Sequence, residues 1–157
     1  MSEVLRTCIV NVPAKVIFDL VCDIDDYQNF LPWCNNSKII LINDNIVVGK
    51  IEVEYLKIKM SFTTKNTNIN NEKIQFNLVE GPFKFLHGYW DILPLDISGS
   101  KVTFSIKYKL VNGLLEKVID PVFNIICNSI IDCFIREAKK RNVNSGCLCK
   151  QDTTKGD

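Results

Sequence analysis

A single histidine, His87, is the only imidazole in 157 residues. It falls on the outer parity of its expected strand with no acid or base partner in view, and a lone imidazole makes a poor general base. Other catalytic parts are missing too. There is no Gly-x-Ser-x-Gly elbow, no Gly-x-x-x-x-Gly-Lys phosphate loop and no Gly-x-Gly-x-x-Gly fingerprint. An excess of one charge is also lacking: the formal net charge is +1, so no global field recruits nucleic acid or membrane. The most apolar stretch, Leu114 to Ile135, is interrupted by Glu116, Lys117, Asp120 and Asp132, which argues against a membrane span. Met1 to Val12 lacks a basic start followed by an apolar stretch, so no export signal is expected. The cysteines number seven, and without export they read as reduced thiols of a cytoplasmic protein. Cys147 and Cys149 form a Cys-x-Cys but have no second ligand pair nearby, so no metal site is expected.

What is present is an ordinary globular composition, 46% apolar and 24% charged, long enough for one domain with a real core. Glu3 to Val12 reads as a strand, and Pro13 suits the first turn of a helix whose apolar face is Val16, Ile17, Leu20, Val21 and Ile24. Asp25 and Asp26 are candidate caps of a second short helix that Pro32 ends. From Ser37 the period becomes two, with turn signals at Asn43-Asp44-Asn45, Asn70-Asn71 and Ser98-Gly99. After Asn112-Gly113 the chain turns helical. Pro121 should kink or restart that helix with Asp120 as cap. Val118, Val122, Ile125, Ile126, Ser129, Ile130, Cys133, Phe134 and Ala138 give its apolar face. The fold class is therefore α+β, in the order β-α-α-β6-α, with about seven antiparallel strands curved around a long C-terminal helix. The domain is expected to span residues 1–141, and residues 142–157 to form a disordered tail.

Inner strand positions are almost all hydrocarbon or aromatic. Glu80 is the exception, and its place before Gly81-Pro82 suggests a strand end in water. An acid–base mechanism therefore lacks parts, and no catalysis is expected. Phe30, Trp33, Phe62, Phe76, Trp90, Phe104, Tyr108, Phe123 and Phe134 are rings that either line an apolar cavity or simply fill a core. Gly88 shares the inner parity of its strand and should leave the inner face locally open. Charge is uneven: residues 1–35 hold two basic and five acidic groups, residues 101–141 eight basic and four acidic.

Three segments carry a resemblance. "DIDDYQNFLPWCNNS" (Asp23 to Ser37), "NLVEGPFKFLHGYW" (Asn77 to Trp90) and "PVFNIICNSIIDCFIREAKK" (Pro121 to Lys140) resemble the coenzyme Q-binding START-domain family, in particular its bacterial branch of ribosome association toxins. The resemblance covers about residues 3–141. It implies a helix-grip fold around a hydrophobic tunnel that takes ubiquinone or a similar isoprenoid lipid. That tunnel and its mouth would involve Phe30, Leu31, Pro32, Trp33, Phe62, Phe76, Leu86, Gly88, Trp90, Phe104, Tyr108, Val122, Phe123, Ile126, Ile130 and Phe134. Trp33 is expected at the mouth or against a membrane, consistent with peripheral contact at the inner membrane. The bacterial branch implies binding to the large ribosomal subunit, a block on subunit joining, and an antitoxin as a further partner. Lys107, Lys109, Arg136, Lys139, Lys140 and Arg141 are the candidate ribosome contacts, with a plain solvated face as the alternative.

Overall fold

The structure, a computed structural model, describes residues 1–153, with side chains through Val143. Cys147, Cys149 and most of the expected tail lie outside the residues whose side chains are described. The elements are β1 (Ser2–Val10), α1 (Ala14–Cys22), a 3₁₀ turn (Ile24–Asp26), α2 (Tyr27–Phe30), β2 (Cys34–Asn43), β3 (Ile46–Tyr55), β4 (Ile58–Ile69), β5 (Lys73–Glu80), β6 (Phe83–Pro94), β7 (Ser100–Leu110) and α3 (Gly113–Thr153). All strand pairs are antiparallel, in the sheet order β1-β7-β6-β5-β4-β3-β2. Helix α3 packs against β7, β1, β4 and α1, so the sheet grips it. This is the helix-grip α+β architecture, with the expected element order.

Alternation explains the strands. On β7, Val102, Phe104, Ile106, Tyr108 and Leu110 are buried, while Lys101, Thr103, Lys107 and Lys109 face outward. Helix α3 departs from expectation in three ways. It runs unbroken through Pro121, because both Pro121 and Lys117, whose carbonyl loses its partner, are exposed and that carbonyl can reach water. Asp120 does not cap a restart. Its carboxylate accepts from the Tyr108 hydroxyl at 2.6 Å and the Ser2 hydroxyl at 3.0 Å, while the helix start is capped by the Asn112 side chain, which accepts from the Leu115 amide at 2.9 Å. Its buried face is also partly rotated from the expected one: Ile126, Cys133, Phe134 and Ala138 are buried as expected, but Val118 and Ile125 are exposed, and Ile119, Phe123, Cys127, Ile131 and Ile135 are buried in addition. By length and composition Gly113–Val143 would pass for a membrane span, but this face is spent against the sheet.

At the other short helix, neither Asp25 nor Asp26 caps through its side chain; Asp25 instead accepts the Ile39 amide at 2.7 Å. Glu80 is exposed, as expected of a strand end. One turn carries unfavourable residues. Leu56 and Lys57 link β3 to β4 with φ of 47° and 70°, the double positive φ of a type I′ hairpin, where Asn-Gly is preferred. Replacing Leu56-Lys57 by Asn-Gly should raise the unfolding free energy by about 1–2 kcal/mol, read from the urea midpoint at constant slope.

Candidate functional site

The Phe30–Trp33 loop is held at both ends. The Leu31 amide donates to the Tyr27 carbonyl at 3.0 Å, the Cys34 amide to the Leu31 carbonyl at 3.1 Å, and the Glu54 amide to the Trp33 carbonyl at 3.0 Å. Behind it the Tyr27 hydroxyl donates to the Val21 carbonyl, and the Gln28 side chain donates to the Ser37 carbonyl at 3.1 Å. On the far side Arg141 of α3 pairs with Asp26 and lies 5.9 Å from the Phe30 ring centroid. The loop is thereby closed onto α3: the Phe134 ring meets Tyr27 at 5.1 Å and Phe30 at 5.2 Å, both edge to face.

Beneath the loop lies a cavity of about 80 Å³. Of the residues expected around a tunnel, Leu31, Trp33, Phe62, Phe76, Leu86, Trp90, Phe104, Phe123, Ile126, Ile130 and Phe134 do line it. Five do not. Pro32 is exposed, Phe30 is half-buried at the outer side of Phe134, Val122 is half-buried, and Tyr108 is buried behind Phe123 with its hydroxyl on Asp120. Gly88 is the clearest correction. A Cβ there would stand 2.0 Å from the Ser105 carbonyl oxygen and 2.6 Å from the Phe76 ring, so the inner face at Gly88 is filled, not open. The glycine serves close strand approach.

Trp33 corrects a second expectation. It is 5% exposed, so it is a wall of the cavity and not a membrane-facing residue. The Nε1–H of Trp33 is buried without an acceptor among the described residues. Such orphans are uncommon in folded proteins and call for an explanation.

Tyr27, Ile51, Thr64, Asn66, Ile106 and Cys127 complete the lining and were not singled out from sequence. Thr64 and Asn66 continue the inner parity of Phe62 past the end of its apolar run, which is the signal that could have found them. The Thr64 hydroxyl donates to the Asn66 side-chain oxygen at 2.8 Å, giving the wall a polar end. The two titratable groups in the lining are unsuited to catalysis. Burial pushes the Tyr27 phenol well up, and burial, helped by the Asp120 carboxylate, pushes the Cys127 thiol far up as well. Among the described residues, no cluster of three or more His, Cys, Asp or Glu could hold a metal, and Cys8, Cys22, Cys34, Cys127 and Cys133 are free thiols.

The expected basic cluster splits in two. Lys107 faces Glu3 at 3.9 Å, Lys109 pairs with Glu116 at 3.0 Å, and Arg141 with Glu137 at 3.0 Å as well as Asp26. Arg136, Lys139 and Lys140 are exposed on one side of α3, at spacings of three and four, without an ion pair among the described residues.

The family model for polyketide cyclase / dehydrase and lipid transport matches residues 10–135. The ribosome association toxin RatA of Pseudomonas aeruginosa is 30% identical over 139 residues, covering 88% of this chain and 96% of that protein. The chain belongs to this family, on its RatA branch. The family is broad. A mitochondrial coenzyme Q-binding protein COQ10 homolog B from Xenopus laevis is 21% identical over 87% of this chain and 57% of its own. Among solved structures, the Zhui aromatase/cyclase of Streptomyces sp. R1128 superposes with a TM-score of 0.78 at 15% identity, covering 89% of this chain and 94% of that one, a likeness of fold.

Two substitutions separate the roles of Trp33. Trp33→Phe removes the orphan donor and keeps most of the ring, so its stability should fall by no more than about 1 kcal/mol. Trp33→Ala should cost about 3–5 kcal/mol. Chemical denaturation of both variants checks the pair.

Proposed function

We propose that the protein is a non-enzymatic, cytoplasmic factor that binds the ribosome at its large subunit and opposes subunit joining. The observation that carries this reading is the similarity to RatA of Pseudomonas aeruginosa, which runs in sequence order over almost the whole of both chains. Two features of the molecule support it. The cavity wall offers hydrocarbon, an amide, a hydroxyl and two groups whose protons burial holds in place, which is a poor set for acid–base or nucleophilic work. Arg136, Lys139 and Lys140 present a cationic face that a polyanion such as ribosomal RNA would contact through phosphates. An antitoxin is the further partner this reading brings. The test is sedimentation with separated ribosomal subunits. The wild type should pellet with the large subunit and lower the yield of joined ribosomes. The triple change of Arg136, Lys139 and Lys140 to Glu should weaken association at least tenfold and flatten its salt dependence. Sedimentation unchanged by the triple variant would remove the basic face from the reading.

A lipid-carrying role is the second reading, favoured by the unpartnered Trp33 Nε1–H beside the cavity. A buried donor there suits a carbonyl-bearing ligand, as ubiquinone is. Size is the obstacle. A benzene-sized ligand sits in a cavity of about 150 Å³, and this one measures about 80 Å³, so the rings must part to admit a quinone head. Solvent extraction of detergent-free protein from a quinone-containing host, followed by mass spectrometry, decides it. Near-stoichiometric quinone supports the role, and an empty extract from folded protein removes it.

A further inference from the structure

Among the described residues, the Trp33 Nε1–H is the one fully buried side-chain polar group without a partner, and it belongs to the wall of the cavity. It is not free to turn to water. The ring is buried, and backbone bonds hold the loop on either side of it, from the Cys34 amide to Leu31 and from the Glu54 amide to Trp33. Nor does an aromatic face take the proton. The close ring pairs join Phe62, Phe76, Trp90, Phe104, Phe123 and Phe134 to one another or to neighbouring rings, and Trp33 is in none of them among the described residues. The other polar groups of the wall stand apart. The Tyr27 hydroxyl donates to the Val21 carbonyl, and the Thr64 hydroxyl to the Asn66 side-chain oxygen. In the sheet register Thr64 lies opposite Gly49 of β3, whereas the Trp33 carbonyl accepts from Glu54, five residues further along that strand. That is roughly 16 Å of backbone. No charge faces the cavity: its lining has no Lys, Arg, His, Asp or Glu, and Arg141 beside the covering loop is held by Asp26 and Glu137.

We propose that Trp33 is the specificity-determining residue of the cavity, selecting an uncharged carbonyl compound over the corresponding alcohol and over a carboxylate. The indole N–H only donates. A carbonyl oxygen accepts from it and has no proton of its own to place. A hydroxyl oxygen accepts equally well, but its proton is then left against hydrocarbon, and an unmet buried donor carries the full cost of its lost hydration. A carboxylate enters a wall without a counter-charge, which is costlier still. Applied to a quinone, the same rule holds the oxidised form in the cavity and disfavours the reduced form, whose carbonyls have become hydroxyls. The selectivity deepens the lipid-carrying reading and rests on it for the natural ligand.

Small probes test this without most of the ring movement that a quinone head needs. Acetone, isopropanol and acetate are close in size, and each is titrated into the full chain while the indole N–H signals of Trp33 and Trp90 are followed by NMR. The signal missing from Trp33→Phe identifies Trp33. Acetone should move that signal saturably, isopropanol should bind at least about fivefold more weakly, and acetate should have no saturable effect. In Trp33→Phe, whose melting curve confirms folding, acetone and isopropanol should bind alike, as read from the Trp90 signal in the same wall. An acetone titration that does not saturate, equal affinity of the wild type for acetone and isopropanol, or a preference that survives in Trp33→Phe overturns the assignment. If any of these occurs while solvent extraction still yields quinone, the lipid-carrying reading stands and the selectivity alone has failed. If acetone is selected as expected while the extract is empty, the Trp33 site stands and the lipid-carrying role falls.

Discussion

Phe134 is the contact on which the arrangement turns. Its ring meets Trp90 of the sheet at 4.8 Å, Tyr27 at 5.1 Å and Phe30 at 5.2 Å, so one side chain joins α3 to β6 and to the loop that covers them. Trp90 passes the contact to Phe104 at 4.8 Å, and Phe104 to Phe76 at 6.0 Å in a stacked pair. A second group, Tyr108, Phe123, Phe83 and Phe62, does the same toward the start of α3. Each such ring buries roughly 150–250 Å², and neighbouring rings gain further from their edge-to-face geometry. The helix is thus held by aromatic packing between Phe123 and Phe134, with the Tyr108–Asp120 hydrogen bond and the Arg141–Asp26 pair on either side of that stretch.

That packing also sets the size of the cavity. Rings that meet at 5–6 Å leave little between them, which is why a wall made of the residue types that line ligand sites encloses only about 80 Å³. On the lipid-carrying reading, a closed core and an open lipid site would be two states of the same side chains. Passing from one to the other means separating Phe134 from the covering loop, and the Arg141–Asp26 pair and the Glu54–Trp33 backbone bond both resist that step. The free energy of ligand binding must exceed this cost before any of it appears as affinity.

The strands were legible because one face is wet and the other dry, and a period of two admits no other solution over β3 to β7. The turns at Asn70-Asn71 and Ser98-Gly99 were legible from their residues, whereas Leu56-Lys57 gave no signal, since neither residue favours positive φ. The orientation of α3 was not fixed by its sequence. With Val118, Ile119, Val122, Ile125, Ile126, Ile130 and Ile131 apolar on several sides, more than one rotation buries a plausible stripe, and only the shape of the sheet selects the one that buries Ile119, Phe123 and Cys127. Most of the cavity wall followed from parity. Gly88 and Trp33 did not, because whether a gap in a pattern is a space or a close approach depends on the neighbouring strand's carbonyl and ring, here Ser105 and Phe76.

A single strand, β6, carries the cavity wall and part of the outer surface of the sheet on alternate residues: Leu86 and Trp90 within, Phe85, His87 and Tyr89 without. The two faces call on different physics. The inner one works through excluded water and shape, and depends little on salt. The outer one meets water, and its ion pairs, such as Lys107 with Glu3, weaken as salt rises. Phe76 borders both the cavity and a shallow depression on the outer face beside Gly88, and the two otherwise draw on different residues. What couples them is the backbone between, pinned at Gly88, where a side chain would strike the Ser105 carbonyl, so β6 can sit close against β7 only with a glycine there.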